Sequence, residues 1–314
     1  MNIFVTGGSG FLGSELVRRL NNDGHVVVSP TSQQCNLLEV ESLNAYSDIK
    51  YERIFHLAAW TQAGDFCLRH PGEQWIKNQL INTNVINWWH LEQPGATLIC
   101  MGTSCAYPTD IELRENNYMT GEPIDSLYTY AMTKRMLYQG VRAMQKQFQM
   151  KWLCAVPSTL YGPGYHSDGR QMHFIFDLIR KILRGKYLGE RVTLWGSGYQ
   201  RRELVHVRSF VQVLLALADK TENQLLNIGA GSDYSIREFA EVICRLVGFD
   251  SRKIYYDTTK YVGAESKILS VDGIRKLMPD YSEKMIPLEE GLKETIDWFL
   301  SEKAYLHPNE RDSS

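Results

Sequence analysis

Tyr130 and Lys134 stand four residues apart in Tyr130-Ala131-Met132-Thr133-Lys134, a spacing that puts both on one face of a helix. An ammonium beside a phenol favours the phenolate, so Lys134 is expected to lower the pKa of Tyr130. Such a tyrosine exchanges a proton with a substrate oxygen while a hydride moves at the attached carbon. Tyr-x-x-x-Lys arises often by chance, and the bland alternative is a surface pair on a helix. The context raises its value. Met101-Gly102-Thr103-Ser104-Cys105-Ala106-Tyr107 follows a strand about 25 residues earlier. Ligands of open α/β sheets bind at the carboxyl ends of strands, where Thr103 or Ser104 would bond the reacting oxygen.

The hydride carrier is suggested by Gly8-x-Gly10-x-x-Gly13, which lies between a strand and a helix. Glycines there allow a tight turn and close approach of a pyrophosphate at the helix N-terminus. In other contexts the same pattern is only a strand–turn–helix corner. An acid about 20 residues further on would hold the ribose hydroxyls of NAD. Here the second strand ends in Ser29-Pro30-Thr31-Ser32, with no Asp or Glu between Asp23 and Glu39. No Arg or Lys is present there to take a 2′-phosphate either. The small hydroxyls incline the choice to NADP, with NAD left open.

The elements needed to position these residues are legible. Strands are expected at Asn2–Thr6, His25–Ser29, Arg53–Leu57, Ala96–Met101 and Trp152–Pro157. Helices are expected at Ser14–Asn21, Glu39–Ser47, Gly72–Leu91 and Tyr130–Phe148. Strands alternating with helices predict an α/β fold, a doubly wound parallel sheet of Rossmann type with a smaller C-terminal α+β domain. After Tyr161-Gly162-Pro163-Gly164 the rhythm loosens. His173–Arg184 reads as helix and Val192–Trp195 as strand; Val205–Ala218 and Ile236–Val247 fit either. The expected division is 1–161 with 205–231 for the dinucleotide, 162–204 with 232–303 for the substrate, and 304–314 as a flexible tail.

Composition narrows the class. The 314 residues are 44 % hydrophobic and 22 % charged, enough for a sizeable core. A net charge of −2 gives no reason to expect nucleic acid or anionic membrane as a partner. The six cysteines show no metal-ligand spacing, so no metal is expected and the thiols are expected to be reduced, as in the cytoplasm. No apolar run approaches the ~20 residues of a membrane span. No signal peptide is expected ahead of a motif that begins at Gly7.

At these residues the chain resembles the extended short-chain dehydrogenases and, within them, the GDP-L-fucose synthases. The marks run over roughly 2–302: the glycine loop, Gly102-Thr103-Ser104-Cys105-Ala106-Tyr107-Pro108, Met119-Thr120-Gly121, Tyr130 with Lys134, Leu160-Tyr161-Gly162-Pro163, Trp195-Gly196-Ser197-Gly198, and Arg202-Glu203-Leu204-Val205-His206-Val207. The resemblance implies Thr103, Tyr130 and Lys134 as the hydride-transfer group. It implies Cys105 and His173 as base and acid of C3/C5 epimerisation beside a C4 ketone. A small buried hydrophobe and a helix-start histidine are their bland readings. The cofactor would be held by Gly7, Gly10, Phe11, Leu12, Gly13, Asn36, Leu37, Leu57, Ala58, Ala59, Tyr130, Lys134 and Pro157. A nucleotide-diphosphate sugar would meet Ser104, Thr159, His173, Trp195, Arg202 and Lys267, with Arg202 and Lys267 on the diphosphate. Trp195 would stack on the base or pack under a lid. A homodimer through the helices at Gly72–Leu91 and Tyr130–Phe148 is also implied. The first is rich in exposed-face candidates: Trp75, Leu80, Ile81, Val85, Ile86, Trp88 and Trp89.

The chain departs from that pattern in places. The usual Lys-Val-Gly-Gly after Leu57-Ala58-Ala59 is Trp60-Thr61-Gln62-Ala63. An expected Asn is Thr159, an expected Asp pair is Arg208-Ser209, Pro-Asp-Gly is Tyr261-Val262-Gly263, and an Arg is Ser266. These are expected to surround the sugar or nucleotide. The leading expectation is therefore an epimerase/reductase of a GDP-4-keto-sugar. The alternative is a C4 dehydrogenase, C4 reductase or 4-epimerase of another nucleotide sugar, such as a GDP-heptose. A dinucleotide sensor without catalysis is the remaining class, and it would have no need of both Tyr130 and Lys134.

Overall fold

The computed structural model describes residues 1–260 and 264–306. The Tyr261-Val262-Gly263 departure and the tail from His307 lie outside the described residues. The chain runs β1 (Asn2–Thr6), α1 (Phe11–Asn22), β2 (Val26–Val28), β3 (Arg53–His56), α2 (Phe66–Arg69), α3 (Pro71–Glu92), β4 (Thr97–Met101), α4 (Tyr128–Phe148) and β5 (Trp152–Pro157). It continues with β6 (Thr159–Tyr161), α5 (Phe174–Leu188), β7 (Thr193–Trp195), β8 (Arg201–Arg202), β9 (Leu204–His206), α6 (Val207–Lys220) and β10 (Gln224–Ile228). The remaining elements are β11 (Tyr234–Ser235), α7 (Ile236–Val247), β12 (Tyr255–Asp257), β13 (Ser266–Lys267), α8 (Asp272–Leu277) and α9 (Leu288–Ser301). Glu39–Ser47, expected as helix, forms a 3₁₀ segment at Val40–Tyr46.

The main sheet has the order β10-β5-β4-β3-β1-β2, and every pairing in it is parallel. The alternation of side chains along a strand sends Phe4, Ile54, Leu98, Cys100 and Cys154 to one face and Ile3, Val5, Phe55, Ile99 and Leu153 to the other. The first face packs on α3 and α4 through Val85, Trp88, Trp89, Leu137 and Val141. The second packs on α1 and α6 through Leu16, Leu20, Phe210 and Leu214. Both faces are covered, so the strands read as continuous apolar runs. This is the Rossmann-type arrangement expected. Val85, Trp88 and Trp89 therefore belong to the core and are not free for a partner. Trp75, Ile76 and Leu80 stay exposed on α3.

A third core joins α5, α7 and α9 through Phe176, Ile179, Phe239, Ile243, Ile296 and Phe299. Three small sheets border it: β11-β8-β13, β12-β7 and β6-β9. Ala304 is buried in this core, and the carbonyls of Tyr305 and Leu306 accept hydrogen bonds from Arg184. Residues 304–306, expected as part of a flexible tail, are thus held by the third core and Arg184. Among the described residues no helix is long and apolar enough to cross a membrane.

Candidate active site and cofactor cleft

The chemistry gathers at the carboxyl ends of β3, β4 and β5. At the end of β4 the backbone turns, and the Thr103 hydroxyl accepts the N–H of Cys105 at 3.2 Å. The Thr103 N–H is held by the Tyr118 hydroxyl at 3.2 Å. Gly102 is needed there, because a Cβ would come 2.8 Å from that hydroxyl. Arg135, one residue past Lys134, clamps the turn from α4. Its Nε and Nη2 donate to the Ala106 carbonyl at 2.9 and 2.5 Å, and the same guanidinium reaches the carbonyls of Thr120 and Gly121. Met119-Thr120-Gly121 is thus a backbone anchor for the turn after β4. The motif was visible in the sequence, but nothing there showed that its partner is Arg135.

Tyr130 is half-buried and faces Thr103. Burial pushes its phenol up, the neighbouring thiols of Cys105 and Cys67 add to this, and the Thr103 hydroxyl only partly opposes it. This corrects the expectation that Lys134 lowers it. The Lys134 ammonium lies 5.9 Å from the centre of the Tyr130 ring and is itself lowered by burial. Tyr130 is therefore a protonated phenol at rest, the form that a reduction requires of its acid. Ser104 sits on the same turn, half-buried.

Cys105 receives a hydrogen bond from the Lys267 ammonium, Nζ to Sγ, at 2.9 Å. Burial alone would raise the thiol. The charge of Lys267 and the bonds from Lys267 and Thr103 together outweigh it, and the thiol is lowered. Lys267, expected on the diphosphate, is thus engaged with the sulfur. His173 is the exposed residue before α5. Removal of water by the surrounding chain, then the charges of Lys267 and His166, push its imidazole down to about 4.

Arg202 ends β8 half-buried, beside Lys267 in strand register. Trp195 ends β7, 45 % exposed, with the Lys260 ammonium 5.9 Å from its ring centre. Thr159 opens β6 next to Leu204. Arg208 pairs with Glu294 at 2.5 Å, and the Ser209 hydroxyl accepts the Ile286 N–H. That departure ties α6 to α9 and to the segment before it. Glu203, between Arg202 and Leu204, is a buried carboxylate that accepts the N–H groups of Ala230, Gly231 and Leu269. It ties the segment after Lys267 to the main sheet, a role its position in Arg-Glu-Leu-Val-His did not reveal.

A cleft of about 410 Å³ runs over the glycine loop. Gly7, Gly10, Asn36, Leu37 and the segment Leu57-Ala58-Ala59 line it, and Pro30, Ser32, Cys35 and Trp60 join them. A Cβ on Gly13 would stand 2.1 Å from the Gly7 carbonyl, and one on Gly8 would collide with Ser29. The close approach of loop, helix and strand is thus built into the chain. Phe11 and Leu12 turn their side chains into the cores, Phe11 against Tyr165 and Phe176. What they leave for a ligand is the unpaired N–H groups of the first helical turn. Pro157, Tyr130 and Lys134 lie outside the lining of this cleft. A dinucleotide fits this cradle: small residues where a pyrophosphate must approach, and a helix N-terminus aimed at it.

Residues 3–229 match the NAD dependent epimerase/dehydratase family. The chain belongs to that family. Within it, the chain resembles the GDP-L-fucose synthases. GDP-L-fucose synthase 1 of Arabidopsis thaliana is 29 % identical over 304 residues, covering 95 % of this chain and 93 % of the relative. GDP-L-colitose synthase of Yersinia pseudotuberculosis is 26 % identical over 315 residues, covering 96 % and 99 %. The fold matches crystal structures of a GDP-L-fucose synthetase from Naegleria fowleri, free and bound to NADP. Their TM-scores are 0.85 and 0.83, at 22 % identity, over 96 % of this chain and 94 % of that one.

Proposed function

We propose that the protein is a nicotinamide-dependent epimerase/reductase of a GDP-4-keto-sugar, with NADP as cofactor. The observation that carries this reading is the meeting of three elements: Thr103 and Cys105 on the turn after β4, Lys267 reaching the Cys105 sulfur from β13, and Tyr130 facing them from α4. When bound, the nicotinamide supplies the hydride for C4. Tyr130 donates the proton to the C4 oxygen, and Thr103 orients that oxygen through its own hydroxyl. Lys134 supplies a buried positive charge beneath Tyr130. Before reduction, Cys105 takes the acidified proton next to the ketone and His173 returns one from the opposite face. Arg202 and Trp195 meet the nucleotide part, with Ser104 and Thr159 near the sugar.

The two parts of the chain divide this work. Residues 1–161 with 205–231 hold the dinucleotide, and 162–204 with 232–303 hold the substrate. NADP is preferred over NAD because Ser29, Thr31 and Ser32 offer hydroxyls where an acid would repel a 2′-phosphate. The protein works in the cytoplasm as a homodimer. The apolar depression of about 480 Å³ lined by Pro71, Trp75, Ile76, Tyr128 and Met132 is its contact surface.

A second reading, a plain C4 oxidoreductase of another nucleotide sugar such as a GDP-heptose, is favoured by one feature. His173 is neutral at rest, and a neutral imidazole is a poor proton donor. A panel of GDP-, dTDP-, UDP- and CDP-sugars, followed by nicotinamide absorbance and product identity, tests both. Turnover confined to GDP-4-keto-sugars with inverted C3 and C5 supports the first. Turnover without inversion supports the second.

A further inference from the structure

We propose that Lys267 is the positioning residue that makes Cys105 a base, holding its sulfur as a thiolate, and is not a clamp on the substrate's diphosphate. The catalytic meaning of this pair rests on the epimerase reading above.

The argument begins with the contact. Lys267 Nζ lies 2.9 Å from Cys105 Sγ. Hydrogen bonds with an ionised partner on both sides are shorter and stronger than neutral ones. The strand β13 that carries Lys267 is pinned from two directions. It pairs with β8, Lys267 beside Arg202, and two residues later the Leu269 N–H is held by Glu203. The Ser270 N–H is held by the Leu113 carbonyl, and the Ser270 carbonyl accepts from Asn227. The lysine is thus delivered to the sulfur by a fixed frame. On the other side, the Cys105 backbone is fixed by Thr103, and the turn by Arg135.

The remaining groups around the sulfur leave the task to Lys267. Tyr130 faces it from α4 and Cys67 from α2, and burial keeps both protonated. His173, ahead of α5, faces Lys267 and is neutral, as is His166 beyond it. Arg202 on β8 is the neighbouring cation, with its Nη1 turned to the Arg201 carbonyl at 2.8 Å. The Lys267 nitrogen, 2.9 Å from the sulfur, is the cationic group that contacts it.

The step then balances. The thiolate takes the proton from the carbon beside the C4 ketone. The C–H bond breaks, an S–H bond forms, and the electron pair moves to the ketone oxygen as an enolate. Lys267 stays protonated throughout. Its role is to keep the sulfur ready to receive that proton.

The test needs no substrate. The full-length protein is treated with iodoacetamide between pH 5 and 10, and alkylation of Cys105 is followed by peptide mass spectrometry. The pH profile of the wild type is expected to inflect below the ~8.5 of an ordinary thiol. Lys267→Met is expected to move the inflection up by at least one pH unit and to slow alkylation at pH 7 about tenfold. Lys267→Arg, which keeps the charge, should retain the low inflection. GDP affinity of Lys267→Met should stay within about threefold of wild type. The thiolate absorbance at 240 nm, wild type minus Cys105→Ser, provides a second readout with the same expected shift. An unchanged profile in Lys267→Met overturns the proposal, as does an equal shift in the Met and Arg variants. If the profile depends on Lys267 while no sugar nucleotide takes up deuterium, the pair stands and the epimerase reading falls.

Discussion

The Thr6 hydroxyl lies 2.9 Å from Nδ1 of His56, and the other ring nitrogen of that histidine lies 3.0 Å from Oδ1 of Asn82. Thr6 Oγ1 also accepts the Ala58 N–H. Asn82 Nδ2 reaches the Thr133 carbonyl, the residue before Lys134. One buried chain thus connects β1, β3 and the segment after it, α3, and α4. His56 is 1 % exposed, and burial, then the charge of Lys134, push its imidazole down to about 4.

This makes stability depend on pH with a definite sign. The folded protein keeps His56 neutral, while the unfolded chain takes a proton near ~6.5. The contribution is full above that value and is lost as pH falls from there to about 4. It is on the order of 3 kcal/mol, at about 1.4 kcal/mol per pH unit. Urea unfolding at pH 7.5 and pH 4.5 should show this loss. In His56→Asn the pH dependence should be weaker by most of that amount. An equal loss in wild type and variant contradicts the role of His56.

Much of this frame is legible in the residues themselves. The alternation of Phe4, Ile54 and Leu98 with Ile3, Phe55 and Ile99 needs helices on both faces, so strand content alone led to the sheet. That Tyr130 and Lys134 share a helix was legible because a four-residue spacing brings them to one face. Long-range polar pairing was not. Nothing local to Arg135 says that it will reach Ala106, Thr120 and Gly121, and nothing local to Lys267 says that its partner is a sulfur 162 residues away. Charge sign was misjudged for a related reason. The effect of Lys134 on Tyr130 was read from spacing, but burial and the two thiols decide the outcome. The apolar stripe of α3 was read as one surface. Its Trp88 and Trp89 are core, and only its first half is free.

Tyr130→Phe removes the proton donor and little else. Hydride transfer should fall by more than tenfold, while NADPH affinity, read by fluorescence, stays near wild type. One hydroxyl is lost, and even a hydrogen bond made by it is worth only about 1 kcal/mol, so the fold should survive. Turnover above one tenth of wild type contradicts the assignment.

Ile76, 58 % exposed on α3, lies in the depression with Trp75 and Tyr128. Light scattering of the wild type at micromolar concentration should give the mass of two chains. Ile76→Asp places a charge in that contact and should give one chain, with an unchanged circular dichroism spectrum. A monomeric wild type contradicts the proposed dimer.

The central claim is that Cys105 and His173 invert carbon centres in the same site where Tyr130 directs reduction. Deuterium uptake tests it most directly. A GDP-4-keto-6-deoxy sugar is incubated with the protein in D₂O without nicotinamide, and the recovered sugar is examined by mass spectrometry and NMR. The account predicts deuterium at C3 and C5 with the wild type. Cys105→Ser should slow uptake by roughly a hundredfold or more, since an alcohol is a far weaker base than a thiolate near neutral pH. His173→Gln should stop inversion while leaving some exchange through Cys105. Both variants should still reduce C4 when NADPH is added, because Thr103, Tyr130 and Lys134 remain. Clean hydride transfer with no deuterium at C3 or C5, unaffected by either substitution, would contradict the account.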